Sequence, residues 1–199
     1  MQFTIERRPT EEIVTLNEVK SYLKIDDDYE NDILELLIKS TREAIEAIIQ
    51  KSVISQVWRY EVNMNNLNDC YHKKIGSPDL NGGYIKISLP KPPIIKILSL
   101  TSNGKEISEE NYSLERENTK FCLCFFFEKV IRKKSMFPIV ITYEAGIADS
   151  AKNVPYQLKL ANLMLIANAY QERYSYDHTT IISKDVKQLL GPFLNLHIF

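Results

Sequence analysis

With 199 residues, the chain can bury roughly 70% of the surface its unfolded form exposes, enough for one sizeable domain with its own core. Its 25 lysines and arginines against 26 aspartates and glutamates leave a net charge of -1, which disfavours a reader of duplex DNA or a protein drawn to acidic lipid. The N-terminus M-Q-F-T-I-E-R-R-P lacks the apolar core of a secretory signal, and the cysteines (Cys70, Cys122, Cys124) are odd in number, so a cytoplasmic product without a disulfide framework is expected.

Met1 to Val14 reads as an arm leading into a short helix. Thr15 and Glu18 have the spacing of a capping box, with Val14 and Val19 placed as a hydrophobic staple. Asp26-Asp27-Asp28 then opens a second helix, Asp27 as its cap and Glu30 near its start. A calcium loop would need a glycine at its sixth position and a glutamate at its twelfth; D-D-D-Y-E-N-D-I-L-E lacks that pattern, so capping explains the aspartates. Leu34, Leu37, Ile38, Thr41, Ile45 and Ile48 recur at helical spacing to about Lys51, leaving Glu35, Lys39, Arg42, Glu43, Glu46 and Gln50 for solvent or partners.

The period then changes to two. Ile54 to Val62 predicts a strand, 63–83 a long polar loop or extended hairpin, and Tyr84 to Leu89 a second strand stopped by Pro90-Lys91-Pro92-Pro93. Ile94 to Thr101, Tyr112 to Leu114, Phe121 to Val130 and Ile139 to Tyr143 complete the strands, with Ser102-Asn103-Gly104-Lys105 and Arg132-Lys133-Lys134 as turns. The fold class is α+β: a helical bundle with an inserted, mostly antiparallel sheet of five to six strands.

Asn153 to Arg173 predicts a helix, with Asn153 as cap and Pro155 in its first turn. From Leu158 to Tyr170 apolar side chains fall on nearly every side, yet the run is about half the ~20 residues a membrane span needs. Protein must therefore cover it, part from this chain and part from a neighbouring copy, which makes self-assembly the first functional expectation. Beyond a polar, aromatic stretch, Ser183 caps a last short helix, Lys184 to Leu190, and the apolar end through Phe199 is expected to dock against something.

Taken in order, T-L-N-E-V-K-S-Y-L-K-I-D (15–26), I-S-Q-V-W (54–58), L-P-K-P-P-I (89–94), I-T-Y-E-A-G (141–146), Val154-Pro155 with its helix to Arg173, and L-L-G-P-F (189–193) resemble the head-tail connector (adaptor) proteins of long-tailed bacteriophages and gene transfer agents. Departures are Ile147, where that family often has an aromatic, and Leu194-Asn195, near which it often has an arginine. The resemblance implies a ring of roughly twelve copies below the portal of the DNA-filled head; that the free protein is monomeric and assembles only there is a separate expectation, since ordering of the arm and C-terminus can be coupled to docking. Such a ring extends the DNA channel without sequence recognition and meets a stopper or tail-completion protein, with neither catalysis nor cofactor. The expected path is from the bacterial host cytoplasm to the particle neck.

On that reading, residues 1–199 form a single connector domain, with helical parts at 15–52 and 153–192, a β insertion at 53–147 and a tail at 193–199. Leu189, Leu190, Pro192, Phe193, Leu196, Ile198 and Phe199 are expected at the portal. Glu35, Arg42, Glu46, Asn162, Asn168, Tyr170 and Arg173 are expected between subunits, with Tyr174 and Tyr176 packing at the helix exit or touching a partner. Lys73, Lys74, Arg132, Lys133 and Lys134 read as solvated turns or, repeated around a ring, as a lining for the DNA channel.

Other chemistry is weakly signalled. Cys70 with His72 and Cys122 with Cys124 lack usual zinc spacing, so two small apolar thiols on one strand face are expected instead. His72, His178 and His197 stand isolated, with no nucleophile elbow or phosphate loop, which argues against an enzyme. A nucleic-acid-binding or regulatory module using the basic turns is the alternative, to be told apart by salt-sensitive DNA binding of the monomer.

Overall fold

Strand alternation and helical spacing sort the chain into two units, Met1–Arg8 with Gln56–Gly146 and Pro9–Ser55 with Ile147–Phe199. The computed structural model describes residues 2–62, 84–117, 120–126, 138–172 and 182–194.

The first unit is β. Its strands are β1 (Gln2–Arg7), β2 (Gln56–Val62), β3 (Tyr84–Leu89), β4 (Ile94–Ser102), β5 (Lys105–Glu106), β6 (Tyr112–Glu117), β7 (Lys120–Phe126) and β8 (Ile139–Ala145). They make a five-stranded sheet, β1-β2-β8-β4-β5, and a three-stranded one, β3-β7-β6, each pairing antiparallel. Trp58, Tyr60, Leu89, Leu100, Leu123, Ile141 and Tyr143 belong to one buried core that both sheets share. Eight strands are described where five or six were expected, because the N-terminal arm (β1) and the two residues after the Asn-Gly turn (β5) are strands as well. Phe3 and Ile5 alternate with polar residues, and Phe3 stacks on Trp58 at 4.3 Å and 12°. Asn103 and Gly104, at φ 53° and 71°, form the two-residue turn between β4 and β5 that Asn-Gly favours.

Register in β4 departs from simple alternation. Ile94, Lys96, Ile97, Ser99 and Leu100 face successive residues of β8 from Ala145 back to Ile141, so Ile95 and Leu98 are extra residues at two bulges. The bulges change the period from two to three: Ile94, Ile97 and Leu100 turn to the core, while Ile95 and Leu98 stand 48% and 43% exposed.

The second unit holds α1 (Leu16–Leu23), α2 (Asn31–Ile49), α3 (Tyr156–Gln171) and α4 (Lys184–Leu190). The expected capping box is present: the Glu18 N–H donates to Thr15 Oγ1 at 3.2 Å and the Thr15 N–H to Glu18 Oε2 at 2.6 Å. Asp27 does not cap α2. Its carboxylate accepts from the Tyr29 N–H at 3.1 Å, tightening a turn before the helix begins at Asn31. Asn153 likewise closes a 3-10 turn, Ala151–Asn153, and Pro155 takes the N-cap position, because proline holds Val154 in an extended conformation where no helix can start. Ile13, Val19, Leu34, Ile38, Ile45, Leu158, Ile166, Val186 and Leu190 form the buried centre.

Candidate assembly surface

On α3, Leu158, Ala161, Asn162 and Ile166 are buried, one stripe at helical spacing. A second apolar stripe runs along the opposite side. Tyr156 is 87% and Leu160 42% exposed, and Leu163, Met164 and Ala167, which continue the i, i+4, i+7 spacing, are half-buried. A soluble helix exposes single apolar residues freely; a row of them is a surface suited to a partner. Asn168 is exposed at the far end, and half-buried Tyr170 donates its hydroxyl to the Glu30 carboxylate.

Arg42 and Glu46 are not on the solvent side of α2 as expected. Arg42 is 1% and Glu46 4% exposed. The guanidinium donates to Glu12 Oε2 at 2.7 Å, Glu46 Oε2 at 3.1 Å and Glu43 Oε1 at 3.4 Å, while Glu46 Oε1 accepts the Val53 N–H at 2.8 Å. A buried cation is tolerated because carboxylates answer it on several sides. The signal was in the spacing: Arg42 lies at i+4 from Ile38 and i-3 from Ile45, inside the apolar stripe. Asn162 is also internal, its Nδ2 donating to Thr41 Oγ1 at 3.0 Å while Oδ1 has no partner among the described residues. Glu35 stays exposed beside Lys39, 3.8 Å away, on the rim of a cleft of about 360 Å³ floored by Val14, Leu16 and Ile38.

At the C-terminal side, Leu190 is buried in its own unit and Leu189 and Phe193 pack half-buried against that core, whereas Pro192 and Leu194 are exposed. Leu196, Ile198, Phe199, Arg173, Tyr174, Tyr176, Lys73, Lys74, Arg132, Lys133, Lys134, Cys70, His72, His178 and His197 lie outside the described residues. Cys122 and Cys124 share one face of β7 and are buried; burial, with help from Glu115, pushes the Cys124 thiol up to about 12, so it stays protonated at neutral pH. Among the described residues no cluster of three His, Cys, Asp or Glu could hold a metal ion, and no helix is long and apolar enough to cross a membrane.

A family profile described as head completion protein matches residues 12–185. In fold the chain is similar to a chain of the neck of an empty GTA particle computed with C6 symmetry (TM-score 0.75, 14% identity), covering 100% of this chain and 98% of that one. It is similar over the same shares to chains in the virion of a native gene transfer agent (GTA) particle (0.70, 14%) and in the neck of a native GTA particle computed with C12 symmetry (0.68, 15%). No curated protein matches it.

Proposed function

This chain belongs to the head completion protein family, and on that footing we propose that it is a non-enzymatic head-tail connector, forming a ring below the portal, extending the DNA channel and receiving the stopper or tail. The sixfold and twelvefold symmetry of the necks whose chains it resembles in fold supports a ring. One observation carries the reading: α3 presents a second apolar stripe, Tyr156, Leu160 and Met164, that its own chain leaves partly uncovered. In the ring this stripe meets a neighbouring copy, with exposed Asn168 and Glu35 toward the rim. Pro192, Phe193 and the apolar residues Leu196, Ile198 and Phe199 meet the portal, and the basic residues at 73–74 and 132–134 line the channel. Copies are made in the host cytoplasm and end in the particle neck.

Leu160→Lys tests this. Leu160 is 42% exposed, so the variant should keep the wild-type unfolding free energy within about 0.5 kcal/mol. Added to tail-less heads of its particle, it should give few rings by electron microscopy and few tailed particles. Wild-type ring yield from this variant would remove α3 from the interface.

A further inference from the structure

Among the described residues the five-stranded sheet ends in two open edges, and we propose that in the ring they join: the outer edge of β4 in one copy pairs antiparallel with the outer edge of β1 in the next. This rests on the ring proposed above. β5 pairs only Thr101 and Ser102, so among the described residues the stretch Ile94–Ser99 has no strand on its outer side, and β1 is the other end of the sheet. Long open edges invite a further strand and are normally guarded by charge, proline, bulges or brevity. The β4 edge has two such guards, exposed Lys96 and its pair of bulges, yet it also presents two large apolar side chains, Ile95 and Leu98, that the bulges push outward.

Three features select a second copy as the occupant. The first is polarity. Successive antiparallel pairings of β1, β2, β8 and β4 leave β4 running opposite to β1, so rotation about an axis along the strands brings the two edges together antiparallel, continuing the sheet's own pattern. Cyclic rings need such a contact, in which two different surfaces of one subunit meet. The second is charge. Lys96, its side chain 60% exposed and 3.2 Å from Glu144 of its own sheet, and exposed Glu6, the extra residue of a bulge in β1 that accepts from the Thr142 hydroxyl, lie at opposite edges with charge still facing outward. A register that sets Lys96 beside Glu6 of the next copy places Leu98 opposite its Thr4. The third is the apolar face, which is unfinished at both ends: Phe3 and Ile5 on β1 and Ile97 on β4 are all half-buried.

The test uses the full chain with Cys70 replaced by serine. Thr4→Cys and Leu98→Cys are placed in separate copies, which are mixed, assembled on tail-less heads and oxidised. Covalent dimers are expected from the mixture and not from either variant alone, and the double variant should give a ladder ending at the closed ring. In parallel, Lys96→Glu should lower ring yield about tenfold, and adding Glu6→Lys in the same chain should restore it to within about twofold. Rings that form without the ladder, or a Leu98 thiol captured by another neck protein, would overturn the edge contact while leaving the connector role intact. No ring from the wild-type chain on such heads would overturn both.

Discussion

Arg42 is a buried cation, 1% exposed, that ties separate stretches of the helical unit together. Its guanidinium draws together Glu12 from the stretch before α1 and Glu46 from its own helix, and Glu46 in turn holds the Val53 backbone where the chain leaves α2. Replacing it with alanine leaves two carboxylates facing each other, Glu46 in the interior and Glu12 beside it. Breaking a buried ion pair from one side costs about 3–5 kcal/mol, so Arg42→Ala should lower the chemical-denaturation free energy by that much. Arg42→Lys should recover only part, because an ammonium cannot reproduce a fork that reaches three carboxylates. A loss under about 1 kcal/mol would place these charges in water.

Helices and strands were legible in the sequence where one rule acted alone. The capping box of α1, the period-two run of β2 and the Asn-Gly turn after β4 each follow from neighbours a few residues apart. Two kinds of feature were not. The bulges in β4 depend on which residues of β8 lie opposite, information no local window holds, and β1 is too short for its alternation to stand out without Trp58 beneath Phe3. The candidate assembly surface was half legible: the excess of apolar residues on α3 could be counted, but which stripe its own core would take could not. The capping box also makes a prediction for α1. The Thr15 backbone N–H, with Lys159 of α3 adding its charge, holds the Glu18 carboxyl below its ordinary range against the opposing effect of burial. A carboxyl lowered in the folded state stabilises above the unfolded value and loses that contribution as pH falls through the folded one. Glu18→Gln should therefore cost a little stability at neutral pH, well under about 1 kcal/mol because the carboxylate is half-exposed and screened, and should flatten the loss of stability as pH falls below the ordinary glutamate range; a parallel acid limb in the two proteins would show that the box carries no charge dependence.

For the molecule as a whole, the C-terminal stretch divides between residues that belong to the core of the helical unit and residues beyond it that the proposed portal contact would use. Sequence alone suggested treating Leu189 to Phe199 as one anchor, but Leu190 is 1% exposed within the helical unit and Leu189 and Phe193 pack on the same core. Removing that whole stretch would take out a buried leucine, worth about 2–5 kcal/mol, and would confuse loss of fold with loss of docking. Cutting after Leu194 separates the two. Residues 195–199 include Leu196, Ile198 and Phe199, so if the anchor reading holds, the shortened chain should melt like the full one yet fail to attach tails to heads, scored by counting tailed particles. Cutting after Ser183 should instead lower the midpoint sharply, since Val186 and Leu190 both leave the core. Tails attached at the full-length yield by the chain ending at Leu194 would assign portal binding to other surfaces, with the exposed pair Pro192 and Leu194 the next to change.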